Sequence, residues 1–243
     1  MLGDITSVEK IHEFLQDPSV FSYLTFLNYI LPHLNSVNVL FQSRQPTIHL
    51  LHDKICNLYR LLLDCFCYSH IIAKVPLCDI DPSDQRMYKP VDQVYLGAEL
   101  HCLFQSPEYQ RDGMVVNIKT RCRTFLIETC QQLRKRFDMN NRLWKLASYL
   151  HPRKVLDHSV RTAMPSLRIL VNEVPRINTY NMQILDDQWR DIAWHHFPDE
   201  VKNFQGNVQD FLKCVSEYRD EDGAHKYQCL GNFALEVLSF SFF

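Results

Sequence analysis

Residues 18–43 read PSVFSYLTFLNYILPHLNSVNVLFQS and contain no charged residue; RQPTIHLLHDKICNLYRLLLDCF follows over residues 44–66. In the first stretch Val20, Leu24, Leu27, Leu31, Leu34 and Phe41 recur at 4-3-4-3-7 spacing, close to the 3.6-residue period of an α-helix. Phe21, Tyr23, Phe26, Tyr29 and Ile30 fill most of the remaining circumference. A helix apolar on nearly every side is expected to be buried on nearly every side, so this segment reads as the hub of a helical core. In the second stretch Ile48, Leu51, Ile55, Leu58 and Leu62 form a 3-4-3-4 stripe, and the short break at 44–47 predicts a helical hairpin.

The hub is long enough to span a bilayer at about 1.5 Å per residue. Its dense apolar part nevertheless ends at Leu31, and Pro32, His33, Asn35, Ser36, Asn38 and Gln42 would be costly in lipid. A membrane partner is therefore not expected. Pro32 is expected to kink the helix, because it removes a backbone bond and crowds the preceding turn. Asn35, Asn38 and Gln42 form a polar stripe that either bonds to a neighbouring helix or faces solvent.

Outward from this hairpin the chain continues to read as helix. Six glycines among 243 residues, with abundant Leu and Phe, favour an all-α fold over a sandwich. A Pro-broken connector covers 74–95. A long helix is expected over about 110–137, with Val115, Ile118, Cys122, Phe125, Thr129, Leu133 and Phe137 as its buried face. Residues 163–173 read as helix or as a short strand at 167–171. Helices follow over 187–196, anchored by Trp189 and Trp194, over 207–218, and from Cys229 to the apolar end at Phe243. Two domains are expected, 1–180 and 181–243. The second holds eleven acids and five bases, while the net charge of the whole chain is only −2.

The nine cysteines are odd in number, and the N-terminus carries acids where a secretory signal would be apolar. Reduced thiols in a nuclear or cytoplasmic protein are expected, with Cys65 and Cys67 acting as small buried hydrophobes. No glycine-rich phosphate loop or nucleophile elbow is present. The acids at Asp186-Asp187, Asp199-Glu200 and Glu217–Asp222 sit at helix starts and turns, where capping accounts for them. The pairs His49/His52 and His195/His196 lack the i, i+4 spacing of metal ligands on one helix face. No catalytic residue, metal site, cofactor or small-molecule substrate is expected.

One charged feature remains. From residue 113 on, the long helix carries Lys119, Arg121, Arg123, Arg134, Lys135 and Arg136 against a single acid, Glu128. Such a helix can track a phosphate backbone or simply present a solvated face. No aromatic residues alternate with these bases to stack nucleobases.

Several motifs occur in order along the chain: Tyr23-Leu24-Thr25-Phe26-Leu27, Leu31-Pro32-His33-Leu34-Asn35, Pro46-Thr47-Ile48-His49-Leu50-Leu51 and Val94-Tyr95-Leu96-Gly97. Cys130-Gln131-Gln132-Leu133-Arg134-Lys135-Arg136-Phe137, Leu150-His151-Pro152, Gln188-Trp189-Arg190 and Tyr227-Gln228-Cys229-Leu230 follow. In this order they resemble the C-terminal half of hAT-superfamily transposases and their domesticated derivatives. The resemblance implies a helical insertion domain leading toward a ribonuclease H-like and dimerisation region. It also implies that the family's two catalytic Asp residues fall upstream of this chain and its Glu in a later block. The expected function is thus a catalytically incomplete, transposon-derived protein. It would act as a nucleic-acid- or protein-interaction module, with DNA as one partner and itself or another hAT-like chain, through the C-terminal segment, as the other. The alternative is a purely structural helical scaffold or dimerisation module that binds no DNA.

Overall fold

The computed structural model describes residues 17–43, 45–109, 113–177, 179–198 and 207–239, together with Glu9 and His12. Among them the chain is mainly helical and holds no β-strand, only isolated bridges at Cys67–Tyr88 and Arg219–His225. The apolar end expected at 240–243 lies outside the described residues. The sequence also suggests a short helix opening at Ser7-Val8-Glu9-Lys10, which lies outside the described residues apart from Glu9 and His12. The chain divides into two compact units, one of residues 1–39 and 55–139, the other of residues 40–54 and 140–243.

In the first unit α1 (Pro18–Phe41) runs without interruption through Pro32. The expected inward stripe is not the one observed. Ser22, Thr25, Phe26, Ile30 and Val37 are buried, whereas Leu24 and Leu31 are about half exposed, as is Phe21. The reason is that a helix apolar on both sides carries no period to say which side packs. Small hydroxyl residues settle it by bonding within their own helix: Ser22 Oγ donates to Pro18 O at 2.8 Å and Thr25 Oγ1 to Phe21 O at 3.0 Å. Tyr109 then closes on that face, its hydroxyl donating to Pro18 O at 3.0 Å. Asn35, Asn38 and Gln42 face solvent.

Helix α2 (Ile48–Phe66) has the stripe its sequence predicts, with Ile48, Leu51, Ile55, Leu58 and Leu62 all buried. It stops at Phe66, although the sequence pattern reads as helix on to about Ile72. Cys67 pairs with Tyr88 in a bridge, and a separate short helix, α3 (Ser69–Lys74), follows. The connector beyond it is irregular, as expected, with 3-10 turns at 77–79, 85–87 and 91–93. It is laid along the end of α2 by bonds from Lys89 N to Phe66 O at 2.7 Å and from Tyr95 N to Cys65 O at 2.9 Å. The connector ends at Gly97, whose φ of +104° and 2.9 Å clearance to the Tyr29 ring leave no room for a side chain. Helix α4 (Ala98–Leu103) starts there. Helix α5 (Met114–Arg136) buries Ile118, Cys122, Leu126, Cys130 and Leu133. Phe125, expected inside, is instead 38 % exposed and touches Phe26 edge-on. Cys65 and Cys67 are free, buried thiols.

The second unit holds helices α6 (Arg142–Ala147), α7 (Pro152–Val155), α8 (Val160–Ala163) and α9 (Arg168–Glu173). Of the segment left open between helix and strand, 168–173 is helix and 164–167 is irregular. Three longer helices follow among the described residues: α10 (Met182–Asp191), α11 (Val208–Glu217) and α12 (Gln228–Ser239). Their apolar faces share one core in which Trp189, Phe211, Tyr227 and Phe233 are the large members. Trp194, expected as a second anchor, is 67 % exposed and stacks on His158 at the surface.

His49 is buried in this unit with no hydrogen-bond partner for Nδ1, and its ring lies 5.6 Å from that of His151. Burial, reinforced by His151 and Lys154, lowers its pKa to about 4. An unfolded histidine titrates near 6.5, so between about 4 and 6.5 the unfolded chain binds the extra proton. The stability that neutral His49 contributes is complete above this window and is lost as pH falls through it. His49→Phe is expected to flatten the pH dependence of the urea midpoint between pH 6.5 and 4.5. A slope identical to wild type would exclude this role.

Candidate nucleic-acid interface

The six bases of α5 divide into groups that face different surroundings. Lys119 lies on the packed side, 9 % exposed, with Nζ donating to Asp92 O at 2.5 Å and lying 5.9 Å from the Phe104 ring centroid. Burial lowers its pKa, and Asp92 opposes the shift. Arg134 donates to Ile80 O at 2.9 Å and Cys78 O at 3.2 Å, with the Asp81 carboxylate 3.7 Å away. Ile80 O also accepts from the buried Tyr59 hydroxyl at 3.0 Å. Lys119 and Arg134 thus satisfy carbonyls that the Pro-broken connector cannot satisfy within itself. Their charges hold the fold together.

Arg121, Lys135 and Arg136 are exposed, and among the described residues no acceptor or carboxylate pairs with them. At 100° per residue Arg121 and Lys135 are separated by only about 40° around the axis and roughly 21 Å along it. Glu128 on the same face is taken up by Gln132, whose Nε2 donates to it at 3.1 Å. The cations of the last turn also sit well against the negative end of the helix dipole.

Arg123 has a third environment. Its guanidinium lies 5.5 Å from the centroid of the Tyr88 ring and, among the described residues, meets no hydrogen-bond acceptor and no carboxylate. It lines an open groove of about 520 Å³ together with Tyr68, Lys89, Val91 and Ile127. The aromatic component missing around the bases in the sequence therefore comes from a different segment. Tyr68 and Tyr88 belong to chain that the Cys67–Tyr88 bridge brings beside α5. They lie far from Arg123 in sequence, so no local spacing could have connected them.

The remaining chemical groups have structural roles. Asp186 accepts from Ser166 Oγ at 2.6 Å and from Leu167 N at 2.9 Å. Asp187 accepts from Gln183, and Asp220 accepts from the backbone of its own turn. Asp199 and Glu200 lie outside the described residues. Among the described residues no three His, Cys, Asp or Glu side chains are grouped so as to hold a metal ion. His52 contacts Asp53, and His195 packs against Phe197, Tyr218 and Tyr227. Cys65 and Cys67 have thiol pKa values raised by burial to about 11 and about 12, so neither is a thiolate at neutral pH. Among the described residues no helix is long and apolar enough to cross a membrane.

Comparison of the chain with family models, curated proteins and solved structures finds no match.

Proposed function

We propose that the chain is a non-catalytic, transposase-derived helical module of the hAT type that contacts a nucleic-acid backbone through the outward bases of α5. The mainly helical architecture agrees with a helical insertion domain, and the ordered motifs from Tyr23-Leu24-Thr25 to Tyr227-Gln228-Cys229 motivate the family assignment. The observation that carries the binding reading is the division of charge on α5. Lys119 and Arg134 are engaged by carbonyls, whereas Arg121, Lys135 and Arg136 are presented outward without partners among the described residues. Flexible cations along one face suit sequence-independent phosphate contact.

Reversing Arg121, Lys135 and Arg136 to Glu together is expected to abolish duplex DNA binding at moderate salt. Replacing them singly is expected to reduce the slope of log K against log salt by about 0.9 for each phosphate no longer neutralised. Arg134 is kept in these variants because its removal would take a donor from Cys78 O and leave Ile80 O with Tyr59 alone. Fluorescence anisotropy over a salt series measures both effects, and an unchanged affinity in the triple variant would exclude the interface.

A second reading, a scaffold that associates through an apolar face, is favoured by Phe21, Leu24 and Leu31 standing half exposed on the charge-free α1. On that reading light scattering shows a dimer that Leu24→Lys with Leu31→Lys converts to monomer. A wild-type chain that is already monomeric would dismiss it.

A further inference from the structure

The groove beside α5 is lined by two cations, Arg123 and Lys89, and by no carboxylate. Lys89 is partly compensated, since its Nζ donates to Asp64 O at 2.6 Å with the Asp64 carboxylate 3.8 Å away. Arg123 is not compensated: the ring of Tyr88 orients it, but its N–H groups have no acceptor among the described residues. A half-buried guanidinium with its donors open is suited to an incoming anion, because its planar fork fits phosphate and carboxylate oxygens. Gln85 adds a neutral donor to the same lining. The rest of the lining mixes the rings of Tyr68 and Tyr88 with Pro90, Val91 and Ile127 and the hydroxyl-bearing Thr124. The volume of about 520 Å³ lies within the usual range of small-molecule sites.

We infer that this groove binds an aromatic ring bearing a phosphate, of mononucleotide size, with Arg123 on the phosphate and Tyr68 against the ring. The same chemistry is offered by a free nucleotide and by one unstacked nucleotide of a single strand. Stacking on tyrosine accepts any base, so specificity for the base is not expected. This site does not depend on the outward bases Arg121, Lys135 and Arg136, which face elsewhere on the same helix.

The test is calorimetric titration of the full chain with adenosine 5′-monophosphate, adenosine, inorganic phosphate and a ten-residue oligothymidylate. The monophosphate is expected to bind at least tenfold more tightly than either adenosine or phosphate alone. Arg123→Gln is expected to weaken it tenfold or more, with Arg123→Lys intermediate. Tyr68→Ala is expected to weaken the monophosphate while leaving phosphate unaffected. If a strand is the natural source, the oligonucleotide binds more tightly than the monophosphate and is weakened by the same factor in Arg123→Gln. If a free nucleotide is the source, it binds no more tightly. The Arg121/Lys135/Arg136 reversal should leave monophosphate binding intact, which separates this site from the proposed duplex interface. The inference is overturned if the monophosphate shows no saturable binding, if phosphate alone binds equally well, or if Arg123→Gln and Tyr68→Ala, both folded by circular dichroism, bind it as wild type does.

Discussion

Gly231→Ala is expected to destabilise the second unit by about 2–3 kcal/mol, although alanine is the better helix former by about 1 kcal/mol. Gly231 lies in α12 where that helix packs on α11. A Cβ at this position would stand 2.5 Å from Ser216 Cβ and 2.8 Å from both Ser216 Cα and Ser216 N. Two of these three atoms are backbone, so no rotamer change relieves the clash and the two helices must separate. Separation loosens Phe211, Leu212 and Val215 against Leu230, Phe233 and Ala234, which form part of one continuous core. Overpacking a close-packed interior typically costs about 1–3 kcal/mol, and here the obstacle is main chain, which argues for the upper part of that range. Urea denaturation followed by circular dichroism measures the destabilisation. A variant as stable as wild type would mean that α11 and α12 do not approach this closely.

Trp189→Ala is expected to cost more, about 4–5 kcal/mol, which is a large share of the stability of an ordinary domain. The indole is fully buried, its Nε1 donates to Met164 O at 2.8 Å, and the Arg161 guanidinium lies 3.5 Å from its centroid. Arg161 also donates through Nε to Trp189 O and through Nη2 to Val155 O, both at 2.7 Å. Truncation therefore opens a large cavity, leaves the Met164 carbonyl without its donor and removes the ring from a half-buried cation whose pKa burial already lowers to about 10. Trp189→Phe keeps a ring beneath Arg161 and is expected to cost only about 1–2 kcal/mol. Trp194→Ala, at an exposed site, is expected to change stability by less than about 1 kcal/mol. Equal destabilisation at the two tryptophans in thermal unfolding would contradict this packing.

These two tryptophans mark how far local sequence pattern reaches. Both read as anchors because large aromatic residues usually bury, and each lies in or just beyond a helical pattern. Only the meeting of α10 with the 164–167 segment selects Trp189, since Met164 O supplies the partner its N–H needs. The same contrast separates α1 from α2. In α2 the apolar stripe is bordered by His52, Asp53, Lys54, Asn57, Arg60 and Asp64, so the 3.6-residue period identifies one face and that face is buried. In α1 both sides are apolar, the period identifies neither, and the residues that pack inward include the hydroxyls Ser22 and Thr25. The basic helix behaves in the same way. Its six cations look alike in sequence, yet carbonyls of the connector claim two of them, a tyrosine ring orients a third, and three remain outward.

Helix content, the buried stripe of α2 and the irregular connector follow from local pattern alone, because side chains three and four residues apart share a helix face whatever lies across from it. Which side of the charge-free α1 is buried, which tryptophan anchors the core and which of the bases are available to a partner depend on atoms distant in sequence. The chain brings those atoms together only on folding: Tyr109 against Pro18, Met164 against Trp189, Tyr88 and Ile80 against α5. Hydrogen-bond acceptors and ring faces have no periodicity along the chain, and they assign each of these side chains its role.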